Sequence, residues 1–359
     1  MIERARQLAM RAGSTVPTGW VAPWIERSWQ RCLGQGLQPH ARAVFDIVSE
    51  QQEQRTREAH QQFVHTAKPI MEKLGHAIVD TRYFAILTSA EGIVVDTSGP
   101  IDRSDTRAHL LTRIGTDLSE MHVGTTAIST ALYEQQPVWL HRGEHFFSNT
   151  TAYSCAGAPL RGPNGNCVGM LDLTGIDAVE RPELKHLVTQ TACKIENALV
   201  LAQAHALALR LNWPGNTLGT DVDGIVCLDA DGLIVSANPA ARQMVGGLDP
   251  ATARAGVGVY AGDVFGVGLD LLFDAAKRGD HRLEIPLWNG LRLHAFPVLR
   301  TNNNSSWTGV DMPPHNRPLK EVETALIRKA VTDARGNVAQ AALALGISRA
   351  TVYRKLGKK

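Results

Sequence analysis

Residues 337–356, NVAQAALALGISRATVYRKL, restrict the fold of this chain more than any other stretch. The run from Val338 to Leu345 is rich in alanine, so another helix can approach it closely. Gly346 turns the chain, and Ser348 offers a side-chain oxygen to the free amides of a new helix. In that helix Val352 and Leu356 lie four apart and face inward with Ile347. Ser348, Arg349, Thr351, Tyr353, Arg354 and Lys355 are left facing outward. Short polar and basic side chains at a helix N-terminus can reach base edges in a major groove, while later cations such as Lys358 meet phosphate. A solvated basic helix in a small bundle is the plainer alternative.

The preceding stretch, 318–335, predicts one further helix. Pro318 suits a first turn, Glu321 and Glu323 favour the positive N-terminal end, and Leu319, Val322, Leu326 and Ala330 recur at helical spacing. Gly336 ends it and Asn337 is placed to cap the next. Residues 318–359 carry nine Lys/Arg against three acids, a net +6 in a chain whose total is +2. The remainder is therefore −4, and a basic end on a mildly acidic body points to a polyanionic partner.

The stretch NVAQAALALGISRATVYRKL resembles the Fis-type helix-turn-helix of bacterial enhancer-binding regulators. The resemblance covers about 40 residues. By position it implies that Ser348, Arg349, Thr351, Tyr353 and Arg354 face double-stranded DNA. It also implies a homodimer on an inverted-repeat operator.

The 359 residues allow two or three domains, and 44% apolar with 20% charged residues is ordinary for a globular chain. No apolar run approaches the roughly 18 residues of a membrane span, and MIERARQLAMRAGS does not read as a secretory signal. A cytoplasmic protein without membrane contact is expected. Five dispersed cysteines (Cys32, Cys155, Cys167, Cys193 and Cys227) with no CxxC suit reduced thiols.

Toward the N-terminus, PWIERSWQRCLGQGLQP predicts an amphipathic helix with a Gly-Leu-x-Pro stop. Residues 50–80 read as helical, with Phe63, Ile70, Leu74 and Ala77 on one face. YFAILTSAEGIVVDTSG reads as a hairpin over 83–88 and 93–97. A helix is expected over 124–134, strands in PVWL, APL and CVGMLDLTG, and one long helix over 183–209. Its stripe of Leu184, Leu187, Thr191, Ile195, Ala198, Leu199 and Ala202 suits either pairing with a second copy or packing on the chain's own sheet.

That order describes an α+β sensor. SWQRCLGQGLQP, GTDLSEMHVGTTAISTAL, GEHF and SCAGAPLRGPNGNCVGMLDLTG resemble GAF domains of acetoin-catabolism-regulator-type proteins, from about residue 20 to 205. From residue 217, DGIVCLDADGLIVSANPAARQMVG and a hairpin about Asn289-Gly290 resemble a short PAS-like fold. The expected organisation is a helical segment 1–55, a GAF sensor 56–210, a PAS-like domain 217–300, a linker 301–317 and the helix-turn-helix 318–359. The fold class is α+β multidomain with an all-α C-terminal unit.

The related enhancer-binding regulators carry an ATPase domain between sensor and helix-turn-helix. Here there is no GxxxxGK[ST] phosphate loop and no GAFTGA loop, and a 17-residue linker has no room for such a domain. A regulator acting by occupancy is expected, through blocking or recruiting RNA polymerase or competing with a full-length relative. No enzymatic activity or cofactor is expected.

In the sensor, His122, His141, His145 and Cys155 lie near one another in sequence, but no pair has a tight ligand spacing within a helix, and no metal is assigned. A redox, metal or haem sensor, or an enzyme on the same scaffold, is the alternative reading. The favoured one is a small-molecule pocket, apolar with a few directed polar groups. Phe84, Trp139, Phe146, Phe147 and Tyr153 are candidate walls; His122, Thr125, Thr126 and His145 are candidate polar contacts, and Cys155 lies beside them. Core packing accounts equally well for any one of them. The resemblance implies small neutral metabolites, diols and hydroxy-ketones among them.

Overall fold

Alternation along Cys167–Ile176 organises the first half of the molecule. Met170, Asp172 and Thr174 point to one face of a sheet, and Leu171 and Leu173 to the other. The structure is a computed structural model that describes residues 1–9, 17–45, 48–248, 258–300, 327, 331, 337–344 and 347–356.

The first sheet is antiparallel throughout. Its strands are β1 (Tyr83–Ser89), β2 (Val94–Ser98), β3 (Val138–His141), β4 (Tyr153–Arg161) and β5 (Cys167–Ile176), in spatial order β2-β1-β5-β4-β3. β5 is central, so both of its faces must be covered, and its burial is almost complete. On one face lie α1 (Ile2–Ala9), α2 (Pro23–Gly34), α5 (Thr106–Leu111), α6 (Glu120–Val123) and α7 (Ala127–Glu134). On the other lie α4 (Gln61–Ala77), which follows α3 (Glu50–Ala59), and α8 (Leu184–Ala202). The expected 83–97 hairpin, the helix near 124–134 and the three later strands all form.

The long helix expected over 183–209 ends at Ala202. Gln203 turns to extended backbone (φ −64°, ψ 150°), and Leu207–Asn212 is a strand, β6. Alanine and leucine favour helix locally, but β6 is the middle strand of a second sheet, paired on both sides, and all six residues are buried. Tertiary pairing overrides propensity here. The stripe on α8 is consumed within the chain: Leu184, Thr191, Ile195 and Leu199 are buried against the first sheet and its partners, and Ala202 is exposed at the end.

The second sheet adds β7 (Gly224–Leu228), β8 (Ile234–Ala237), β9 (Leu283–Pro286) and β10 (Arg292–Leu299) in antiparallel order β8-β7-β6-β10-β9. Asn289 Oδ1 accepts from the Leu291 amide at 3.0 Å and Gly290 takes φ 85°, closing the expected hairpin. One face carries α9 (Pro239–Met244), α10 (Ala261–Val264) and α11 (Leu269–Arg278). The other face receives the end of α8, with Val200 packed on Ala208, Ile225 and Cys227.

A buried amide joins the two sheets. Asn238 caps α9, its Oδ1 accepting from the Ile225 and Ala241 amides, each at 2.8 Å. Its Nδ2 donates to Asn197 Oδ1 of α8 at 2.7 Å and to the Asp223 carbonyl at 2.8 Å. Asn197 Nδ2 in turn donates to the Asp221 carbonyl at 2.8 Å. Residues 1–302 form one compact unit. No helix among the described residues is long and apolar enough to cross a membrane.

Residues 303–359 form a second unit. Asn337 Oδ1 accepts from the Ala339 and Gln340 amides at 3.1 and 3.2 Å and starts the helix Val338–Ala344. A further helix, Arg349–Leu356, is described below. The linker 301–317, the start of the expected 318–335 helix, Gly336 and Gly346 lie outside the described residues; Ile327 and Val331 are helical. The chain is α+β, with two antiparallel sheets and a helical C-terminal unit.

All four hydrogen-bonding positions of the Asn238 amide are used, so Asn238→Ala should cost about 2–4 kcal/mol, a lost helix cap plus stranded buried partners. Urea unfolding of the full chain checks this; Asn238→Asp, which keeps the cap but aims a buried carboxylate at the Asn197 and Asp223 oxygens, should cost at least as much.

Candidate sensor cavity and DNA-binding helix

The face of the first sheet under α5–α7 encloses a cavity. Ile86 comes from β1, Tyr153 and Cys155 from β4, and Asp172 and Thr174 from β5, all on one side of the pleat. The walls above are Phe45, Leu111, Leu118, Val123, Thr126, Ala127, Ile128, His145 and Thr150. The free space is about 20 Å³, room for about one water.

Two polar atoms of lining residues have no hydrogen-bond partner among the described residues: Asp172 Oδ1 and His145 Nε2. Both residues are fully buried. Asp172 Oδ2 accepts from the Thr174 hydroxyl, and Thr174 Oγ1 lies 3.4 Å from the Cys155 sulfur. No cation faces Asp172, so burial pushes its carboxyl up to about 7. Burial drives the His145 imidazole down to about 4, and a neutral ring follows. Its Nδ1 sits 3.0 Å from the Arg142 carbonyl, which can only accept. The proton is therefore on Nδ1, and Nε2 offers a bare lone pair to the cavity. Burial likewise pushes the Tyr153 hydroxyl up to about 12 and the Cys155 thiol well above its ordinary value.

The loop carrying His145 is held by the N-terminal helices. The Arg6 guanidinium of α1 donates to the carbonyls of Gly143 (3.0 Å), His145 and Phe146 (2.8 Å). Trp29 Nε1 of α2 donates to the Glu144 carbonyl at 2.9 Å. α2 is anchored in turn by Arg31, whose two nitrogens grip the Glu120 carboxylate at 2.8 and 2.9 Å, and by Ser28, which donates to Glu120 and lies 2.8 Å from Thr125 Oγ1. The SWQRC stretch is thus a docking face for α6 and the start of α7.

Of the ten residues expected at the pocket, Thr126, His145, Tyr153 and Cys155 line the cavity. Six do not. Thr125 is spent on Ser28 and Cys32. His122 sits at the surface end of α6, beside Ser119 Oγ at 3.2 Å and Asp117 at 3.1 Å. Trp139 pairs with Ala156 on the opposite sheet face, where it stacks on His141. Phe84, Phe146 and Phe147 are core. The two phenylalanines meet edge to face, 5.2 Å apart, against Gly124, where a Cβ would stand 2.8 Å from Phe146 Cβ. Asp172 and Thr174 were missed, although alternation in MLDLTG sets them on the side of Met170.

Among the described residues, no group of three or more His, Cys, Asp or Glu is placed to hold a metal ion. His141 instead bonds Ser154 Oγ at 2.6 Å. The buried Cys155 thiol is held protonated, which opposes the redox alternative.

In the C-terminal unit Ser348 caps the helix Arg349–Leu356, its Oγ accepting from the Thr351 amide at 3.2 Å. Val352 is fully buried with Ile327 and Ala342, and Ile347 packs beside them. Ser348, Arg349 and Tyr353 are exposed and Thr351 is half-buried. The side chains of Arg354, Lys355 and Leu356, and all of Lys358, lie outside the described residues.

Residues 2–197 match the family model described as MimR, N-terminal domain, and residues 318–358 match that of the bacterial regulatory protein, Fis family. The acetoin catabolism regulatory protein of Cupriavidus necator is 29% identical over 257 residues, 70% of this chain and 37% of that protein. The propane 2-monooxygenase operon transcriptional activator MimR of Mycolicibacterium goodii is 30% identical over 203 residues, 55% of this chain and 33% of that protein. The chain thus spans about a third of the length of the curated relatives it matches, and these relatives are transcriptional regulators rather than enzymes. A solved complex, E. coli DhaR(N)–DhaL, aligns with TM-score 0.47 and 14% identity, over 78% of this chain and all of that one.

The cavity charges set a pH signature. Between about pH 4 and 7 the folded chain keeps a proton on Asp172 that the unfolded chain has lost, so this residue's contribution to stability falls as pH rises through that window. Asp172→Asn should raise Tm at pH 8 by a few degrees, about 2–4 °C per kcal/mol relieved. The gain should shrink towards pH 5; calorimetry across pH checks it.

Proposed function

Because this chain belongs to the MimR N-terminal domain family and ends in a Fis-family module, we propose that it is a ligand-responsive transcriptional regulator. The GAF-like half takes a small effector, and the helix Arg349–Leu356 reads duplex DNA. The observation that carries the sensing half is the pair of unpartnered polar atoms, Asp172 Oδ1 and His145 Nε2, in a cavity otherwise lined mainly by apolar side chains. Buried polar groups are nearly always satisfied, so two open ones at one cavity mark a place for something that bonds them.

The path from cavity to second sheet is short. β5 presents Asp172 to the cavity and Leu171 and Leu173 to the back face, where α8 places Val188 and Ile195. A ligand that shifts β5 shifts α8, and α8 reaches the second sheet through Asn197 and Val200. The PAS-like half is in this reading a relay for effector state.

At the DNA, the proposal is a homodimer on an inverted-repeat operator, paired through the C-terminal module because the α8 stripe is already packed. Regulation proceeds by occupancy, without ATP-driven promoter opening, by excluding or recruiting RNA polymerase.

Anisotropy titration of a fluorescent operator duplex, isolated by selection from random sequence, tests the reading. Arg349→Ala should lower affinity for operator about 5- to 150-fold relative to a scrambled duplex, the worth of one bidentate base contact, about 1–3 kcal/mol. Lys358→Ala should weaken both duplexes alike and reduce the salt slope by about 0.9. Equal loss on both duplexes for Arg349→Ala would make the C-terminal unit a non-specific clamp.

A further inference from the structure

α5 borders two separate hollows. Leu111 lines the sensor cavity, whereas His109 and Thr112 line a cleft elsewhere on the first sheet's unit. Other walls of that cleft are Glu53 and Arg57 of α3, Asp96 of β2, and Arg103 and Arg113 from the loops on either side of α5. Its free space is about 330 Å³, against about 20 Å³ in the sensor cavity. That volume is in the range of small-ligand sites.

Three guanidiniums and an imidazole line the cleft against two carboxylates. Glu53 is taken by Arg57, one turn along α3, at 2.7 Å. Asp96 is half-buried, and burial pushes its carboxyl up, which makes it a poor counter-ion. Arg113 donates one nitrogen to the Val48 carbonyl at 2.6 Å, which fixes its head and leaves its charge unpaired. Arg103 has no side-chain partner among the described residues; its neighbour Asp102 accepts from the Ser104 amide and hydroxyl instead. Two guanidiniums thus share one hollow without an acid of their own, on a body (residues 1–317) whose net charge is −4. Like charges lining a concavity focus a field that draws an anion. α3 supplies an independent observation. EQQEQRTREA buries no side chain, so hydrophobic burial does not hold this helix in place. Ser49 caps it and Gln52 Nε2 donates to the Gly115 carbonyl at 3.4 Å. A helix of 10 residues is marginal in water on its own, and this one stands as the wall of an unfilled space.

We propose that this cleft binds a small oxyanion, a phosphate or carboxylate held by Arg103 and Arg113, and that its occupancy steadies α3 against the body. The planar fork of a guanidinium matches the paired oxygens of either group. The site stands apart from the sensor cavity and does not depend on an effector there.

The test uses the full chain, read by thermal unfolding, calorimetric titration and amide hydrogen exchange. Inorganic phosphate and succinate are the probes, each compared with sodium chloride at equal ionic strength. Succinamide and 1,4-diaminobutane are the uncharged and cationic controls. At about 100-fold excess over Kd, phosphate, succinate or both should raise Tm by about 5–10 °C and slow amide exchange across α3. The two controls should do neither. Arg103→Gln, at an exposed position, should leave the unliganded Tm unchanged and weaken binding about 10- to 150-fold, the worth of a hydrogen bond to a charged group. Arg103→Glu should abolish binding. Arg55→Gln removes the same charge from an exposed position of α3 outside the cleft and should bind as the native chain does. A response to phosphate alone assigns a tetrahedral oxyanion and one to succinate alone a carboxylate; either supports the site. No response beyond that of sodium chloride at about 50 mM, a response to diaminobutane, or equal losses in Arg55→Gln and Arg103→Gln would each overturn it. Binding that leaves exchange across α3 unchanged would overturn the steadying of that helix.

Discussion

The hydrogen bond between Asn197 and Asn238 fixes how the two sheets of residues 1–302 hold together. Each amide is buried where two sheets converge, and an unmade bond there costs more than a made one gains. Asn238 caps α9, pins the β7 backbone at Ile225 and grips α8 at once. α8 is therefore shared property: its first turns close the core of one sheet, and its last turn closes that of the other. Neither sheet can shift along the helix without breaking a satisfied network.

The cavity belongs to a different kind of economy. The central strand of the first sheet is apolar on its back face, yet carries an acid and a hydroxyl on its front. Stability alone would place a methyl-bearing side chain at 172. A carboxyl with one open oxygen is tolerated because a protonated acid is far cheaper to bury than an ion, and because Thr174 and Cys155 polarise it into a fixed orientation.

Local chemistry was the most legible part of the sequence. The Asn289-Gly290 turn, the Ser348 cap and the inward Val352 are each dictated by residues within four positions of one another, and each forms as read. What depends on partners far along the chain was not legible. LALRLN carries helix-favouring residues and becomes a strand because β7 and β10 flank it. The aromatic residues proposed for the pocket were plausible walls by type, but strand parity turned Trp139 away and Gly124 absorbed Phe146 and Phe147. Asp172 was in a motif already singled out. Only the pairing of β5 with β1 and β4 reveals that its side faces the cavity.

The grip of Arg6 and Trp29 on consecutive carbonyls of the 143–146 loop makes the amino end part of the sensor's architecture. Those carbonyls point into a region that α1 and α2 keep dry. A shortened clone beginning at α3 would leave them facing water or nothing, and the ring of His145 would lose the frame that aims it. Fragment design and fusion tags at the first residue thus bear directly on the shape of the cavity wall, and anything that pulled α1 away would reshape the cavity without ever entering it.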